Sequence, residues 1–208
     1  MGIDYRCKGA DLALLQRLLD QGPWPRCRRD LPLWLTLGEE RVLLREVLHS
    51  DKGRLVQAFH DLSERSVYLR FMRAKQPPSQ EQVAWFTDYP RDTQLSLLLC
   101  DERGYPVAQA QSIRRRRHPL RAEFSCVVAD HFQRRGAARH ILLALALLAR
   151  GEGVREWMAE ILAENRPMIA LVQRLGLPVS LVTGRAMVFV RLDLTALDPW
   201  LIHQTKGE

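Results

Sequence analysis

The chain has 208 residues, 47% of them hydrophobic and 26% charged, which predicts one globular domain with at most a small appendage. That balance excludes a disordered chain, a collagen-like repeat and a disulfide-stapled miniprotein, and a chain of this length buries enough surface to fold without metal or disulfide. The formal net charge is +7, and nine arginines between Arg114 and Arg150, set against Glu123 and Asp130, account for all of it.

Leu12, Leu15 and Leu19 share one face with Leu14 and Leu18 beside them, so Asp11 to Gln21 reads as an amphipathic helix with Asp11 near its start. Gly22-Pro23-Trp24-Pro25 ends it, and an arginine-rich connector runs to Pro32. Leu33 to Leu37 and Val42 to Val47, separated by Gly38-Glu39-Glu40, predict a hairpin. Ser50 and Asp51 sit where caps stand before the helical stretch that starts at Gly53. Further short helices are expected over Glu64 to Met72 and from Ser79 through Phe86. Leu95 to Cys100 and Val107 to Ile113 flank Asp101-Glu102-Arg103-Gly104 as a second hairpin.

After the four arginines 114–117, expected at a tip between strands, Ala122 to Val128 reads as an apolar strand whose only charge is Glu123. Ala138 to Arg150 is a helix so apolar that most of its circumference must be covered, and Gly151 and Gly153 stop it. Glu156 to Leu162 resembles a buried strand, Asn165 to Leu175 a helix, and Val179 to Thr183 with Met187 to Leu192 a last strand pair. The order is an α/β mixture with an antiparallel half and a crossover half.

Several functions are excluded or disfavoured by what is missing. The longest strongly apolar run, Ile141 to Ala149, is far too short for a membrane helix, and the N-terminus carries no signal core. Gly2 follows the initiator Met, but Arg6 stands where a myristoylation signal needs Ser or Thr, so a cytoplasmic location is expected. Cys7, Cys27, Cys100 and Cys126 form no C-x-x-C, and the six histidines are scattered and read as surface imidazoles. No metal site is expected. No helix-turn-helix, zinc finger or aromatic stacking motif accompanies the arginines, which argues against nucleic acid and leaves a phosphate-bearing ligand.

The strand closing on Val128 is followed by Gln133-Arg134-Arg135-Gly136-Ala137-Ala138 at the start of the long helix. Gly136 and the alanines let a ligand approach the backbone, and the unpaired N–H groups of a helix start favour an anion such as pyrophosphate. The spacing is neither that of a P-loop nor that of a dinucleotide fingerprint.

It does resemble the acyl-coenzyme A signature [Q/R]-x-x-G-x-[G/A] of the GNAT N-acetyltransferases, met by Gln133, Gly136 and Ala138. LSERSVYLRFM at 62–72, AEFSCVV at 122–128 and ENRPMIALVQRLG at 164–176 are similar to the protein lysine acetyltransferase branch. The resemblance covers roughly Leu33 to Leu194. It implies residues 1–32 as an N-terminal helical extension, 33–194 as the acetyltransferase domain and 195–208 as a tail. The implied fold is α/β (α+β): a mixed, mostly antiparallel sheet with helices on both faces and splayed central strands.

The resemblance implies acetyl transfer from acetyl-CoA to an amine, with a protein lysine as leading acceptor. A lysine amine has a pKa of ~10.4 and must shed a proton before attack. Glu123, at the position of the branch's general base, would serve if burial raised its pKa; the plain alternative is a strand-end carboxylate salt-bridged to Arg121 or Arg114. Backbone groups of Cys126, Val127 and Val128 would hold the acyl and pantetheine portions, and Gln133, Arg134, Arg135, Gly136, Ala137, Ala138 and Arg139 would surround the pyrophosphate. Asn165 would cap a helix and touch the pantetheine arm. Many members carry a general-acid Tyr seven residues beyond this Asn, and Val172 stands there. A small-molecule amine acetyltransferase and a non-catalytic acyl-CoA sensor or nucleic-acid-binding module are the alternatives, and a homodimer is compatible with the sequence.

Overall fold

The computed structural model describes residues 4–204. A strand β1 (Asp4–Lys8) and a helix α1 (Leu12–Leu19) precede the hairpin β2 (Leu33–Leu37) and β3 (Glu40–Glu46). Three short helices follow, α2 (Lys52–Asp61), α3 (Glu64–Phe71) and α4 (Gln80–Thr87), then the meander β4 (Gln94–Cys100), β5 (Pro106–Arg115) and β6 (His118–Val128). The long helix α5 (Ala137–Gly151) leads to β7 (Glu156–Leu162), α6 (Arg166–Gln173), the hairpin β8 (Val179–Thr183) and β9 (Met187–Asp193), and α7 (Asp198–Gln204).

All nine strands lie in one sheet, ordered β1-β8-β9-β7-β6-β5-β4-β3-β2. Every neighbouring pair is antiparallel except β6 and β7. The mixed, mostly antiparallel sheet expected of the sequence is therefore present. β4 is buried along its whole length, as a strand with helices on both faces must be. On one face lies α5, whose residues Ile141 to Ala149 are all buried. Leu194 and Leu197 join the same core. On the other face α2 and α3 close a smaller core of Phe59, Leu62 and Val67, with Phe71 and Val127 against it.

The predicted helices and hairpins recur with small changes at their ends, and α1 is capped as expected, Leu14 N–H donating to Asp11 Oδ1 at 2.9 Å. Its apolar face, Leu15, Leu18 and Leu19, is buried in the main core. Asp11 N–H donates to the Gly176 carbonyl at 3.0 Å. Gly176 has φ +79, and a Cβ there would stand 2.9 Å from the Leu15 backbone nitrogen, so only glycine lets the two segments meet this closely.

Four expectations need correction. β1 and α7 carry no strong periodicity and were not predicted. Arg114 and Arg115 belong to β5, leaving only Arg116 and Arg117 at the tip. Asp51 does not cap α2 with its side chain; it takes a two-pronged bond from Arg45 at 2.6 and 2.7 Å and the Leu48 N–H at 2.8 Å. His140 is not a surface imidazole: it stacks on Trp24 with ring centroids 4.9 Å apart, and burial, with Arg139 adding to it, pushes its pKa down to about 4.

Candidate active site

β6 and β7 are joined by only three parallel pairs, Arg121 with Glu156, Ala122 with Trp157 and Glu123 with Met158. Beyond them β6 runs on from Phe124 to Val128 with β5 on one edge and no strand on the other. Trp157 marks the closed end of this fork: its ring stacks on Phe124 at 4.9 Å and its Nε1–H donates to Ser112 Oγ at 3.0 Å. The open end is a cleft of about 1400 Å³. Its walls are β6, β7, α3 and the starts of α5 and α6, and an unpaired sheet edge of this kind offers backbone donors and acceptors to a ligand.

One end of the cleft is the turn into α5. Arg134 (φ +63) and Gly136 (φ +87) both take the left-handed conformation. Gly136 is the N-cap and supplies no side chain, so the first N–H groups of a 15-residue helix are left for a ligand. Gln133, Arg134, Gly136, Ala137, Ala138 and Arg139 all line the cleft. Arg135 does not: it turns away to Glu40 on β3 at 2.8 Å. The Gln133 side chain fastens the turn, donating to Ser66 Oγ at 3.1 Å and the Val128 carbonyl at 3.3 Å. Asp130 completes this joint, accepting from Ser63 N–H, Ser63 Oγ and Ser66 Oγ at 2.7 to 2.8 Å. Burial would raise its pKa, but these bonds outweigh it and hold the carboxyl below its ordinary value.

Along the middle, Cys126, Val127 and Val128 are half-buried and line the cleft. Burial pushes the Cys126 thiol up to about 12, so it stays protonated. Asn165 borders the cleft as the cap of α6, with Met168 N–H donating to its Oδ1 at 3.3 Å. Val172, in the place of the family's acid, is fully buried in the core and is not among the residues lining the cleft.

Glu123 lines the cleft near the fork. Strand alternation puts it on the α3 face with Ser125 and Val127. Its side chain is 51% exposed and ion-paired with Arg115, so neither the burial asked of a base nor the expected partners Arg121 and Arg114 are found. Arg121 instead meets Glu156 at 3.0 Å and Arg114 meets Glu152 at 3.5 Å.

The arginine window disperses on folding. Arg116 pairs with Asp92 and Arg150 with Asp198, and with the pairs above this brings most of the window's charge to carboxylates distant in sequence. Of the guanidinium groups lining the cleft, Arg65 pairs with Glu164, Arg115 with Glu123, and Arg121 and Arg191 with Glu156. Arg134, Arg139 and Arg70 have no carboxylate partner among the described residues. Arg70 was not singled out from the sequence; its place three residues beyond the buried Val67 on α3 was the available signal.

Among the described residues no group of three or more His, Cys, Asp or Glu could hold a metal ion, and no helix is long and apolar enough to cross a membrane. Residues 56–177 match the model of the Acetyltransferase (GNAT) family. Acetyltransferase Pat of Mycolicibacterium smegmatis is 26% identical over 182 residues, 85% of this chain and 54% of Pat; the chain thus spans about half the length of that curated relative. The GNAT domain of S. lividans PAT superposes with a TM-score of 0.72 at 24% identity, over 78% of this chain and 96% of that one. YncA of Salmonella typhimurium, solved with acetyl-CoA, gives 0.58 at 19% identity, over 74% and 94%.

Proposed function

The chain belongs to the GNAT acetyltransferase family, and from that premise we propose that it moves an acetyl group from acetyl-CoA to a primary amine, with a protein lysine as acceptor and Glu123 as general base. The observation that carries this reading is the fork between β6 and β7, with an anion cradle at one end and a carboxylate toward the other. The pyrophosphate of acetyl-CoA suits the free N–H groups after Gly136 and the unpaired Arg134 and Arg139. Cys126, Val127 and Val128 offer backbone groups to the pantetheine and acyl portions, and Asn165 faces them from the start of α6.

In this reading the acceptor amine enters from the α3 side and loses a proton to Glu123, directly or through one water. Glu123 is open to solvent, so the proton has an exit. The similarity of 62–72, 122–128 and 164–176 to the protein lysine branch supports a protein acceptor. So does the exposed Met72, which follows α3 and lines the cleft. Four free thiols, at Cys7, Cys27, Cys100 and Cys126, fit a cytoplasmic setting.

Thermal unfolding with and without acetyl-CoA tests the donor half. Ligand at ~100 times its dissociation constant adds about 2.7 kcal/mol, if only the folded state binds. At roughly 2–4 °C per kcal/mol for a chain of this size, the midpoint rises visibly. Release of free thiol that depends on an added lysine-bearing protein tests the acceptor half. A midpoint that does not move at saturating acetyl-CoA refutes the reading.

A further inference from the structure

Arg70 stands out among the cations of the cleft. It sits at the end of α3, its Nη2 donates to Ser125 Oγ at 2.6 Å, and its guanidinium lies over the Phe71 ring at 4.8 Å. Its Nε is buried without a partner. Burial pushes its pKa down to about 10, which still leaves it charged at neutral pH. Burying a cation without a carboxylate is costly, and Ser125, which it binds, lies in the stretch of β6 with no strand on one edge, next to Cys126, Val127 and Val128, whose backbone groups are offered above to the pantetheine and acyl portions. The position of the usual acid is filled by Val172 in the core, and among the described residues no Tyr lines the cleft.

We propose that Arg70 is a further catalytic residue, its guanidinium, which lines the cleft, facing the negative charge that collects on the coenzyme A sulfur as the acetyl group leaves. The proposal rests on the acetyl-CoA reading of the cleft. The amine, neutral once its first proton has left through Glu123 to solvent, bonds through nitrogen to the thioester carbon, and Glu123 takes the second proton that the nitrogen loses on becoming an amide. The carbon–sulfur bond then breaks and its electron pair goes to sulfur, giving an amide, a thiolate and a protonated carboxyl. No acid is needed for that step if a fixed cation faces the sulfur, because a thiolate is a stable enough leaving group once its charge is matched. The two unpaired arginines at the α5 turn and the one at the fork then match the two places where the donor is or becomes negative: phosphate and sulfur.

The test is a titration of bound coenzyme A, which needs no turnover. Thiolate ultraviolet absorbance is followed against pH for the protein with CoA, and the same protein with desulfo-CoA is subtracted to remove its own cysteines. Cys126, which lines the cleft, stays protonated to about 12. In the unmodified protein the bound thiol should titrate about one unit or more below the value of free CoA titrated alongside it. In Arg70→Gln it should return to that value or rise above it, and Arg70→Lys should fall between. Turnover of Arg70→Gln should drop about tenfold or more at saturating acetyl-CoA, a one-unit change in thiol acidity being about a tenfold change. Equal thiol pKa values in the unmodified protein and Arg70→Gln would overturn the proposal, as would a defect confined to the acceptor KM. Should Arg70→Gln fail to fold, an unshifted thiol in the unmodified protein overturns it alone. Failure of both CoA and desulfo-CoA to bind would instead refute the acetyl-CoA reading beneath it.

Discussion

Glu123 and Gly176 show two ways in which one side chain, or its absence, is fixed by its surroundings. The strand sequence AEFSCVV isolates a single carboxylate, and the fold delivers it to the cleft, half exposed and paired with Arg115. Replacing it by Gln keeps size and hydrogen bonding but removes the proton acceptor. Glu123→Gln should therefore lower kcat by roughly 10²–10⁴, the usual worth of a general base, while the acetyl-CoA-induced rise in midpoint stays within error of the parent. Turnover near the parent value across pH 7 to 9 would exclude the role. The partner of Glu123 was not legible, because Arg115 faces it only through the β5–β6 register, a long-range fact. Arg135 is the converse case: its place in the signature suggested a phosphate contact, and the neighbouring hairpin claims it through Glu40.

At the level of elements, the sequence is most readable where periodicity is long or punctuation strong. The helix after Gly136, the cap at Ser79, the hairpin around Gly104 and the cap at Asn165 all follow from local chemistry. β1 could not be read in that way, since DYRCK becomes a strand only by pairing with β8. The same holds for the ends of β5 and β6, where arginines enter the ladder because their neighbours already pair. Packing between distant elements also explains Gly176. A left-handed backbone costs an L residue about 1–2 kcal/mol, and the Cβ would collide with the α1 backbone. Gly176→Ala should lower the unfolding midpoint by several degrees, at roughly 2–4 °C per kcal/mol. It should also raise hydrogen exchange in Leu12–Leu19 more than in α5. Unchanged exchange in α1 would show that the contact carries no weight.

For the molecule as a whole, the half-buried His140 makes stability depend on mild acid. Its folded pKa, about 4, lies below the ordinary ~6.5, so the unfolded chain takes up the proton first. The sign is fixed by that order: stability is full above about pH 6.5 and falls as pH drops toward 4. His140→Phe keeps the ring against Trp24 and removes the titration. Its midpoint should therefore fall less than the parent's between pH 7 and 4.5, and parallel curves for the two would refute the assignment. From composition, His140 was one of six scattered imidazoles; only the docking of Trp24 onto α5 made it special. The net charge is likewise a poor guide at this scale. The +7 window looks like one basic patch in sequence, yet folding spends most of it on carboxylates and leaves the cleft a few unpaired cations.

Both outer strands of the sheet, β1 and β2, come from the first 37 residues. Between them the chain crosses from one margin of nine strands to the other, a span of roughly 38 Å at ~4.8 Å per strand. The N-terminal segment is thus a hem sewn along two sides of one cloth. A protease cut in the connector after α1, followed by loss of the freed β1 and α1, would bare β8 at one margin while β2 stays joined to β3 at the other. Exposed sheet margins recruit one another, so the trimmed protein should elute from a sizing column as concentration-dependent oligomers, and a trimmed species that stays monomeric would show that the remaining strands guard their own borders.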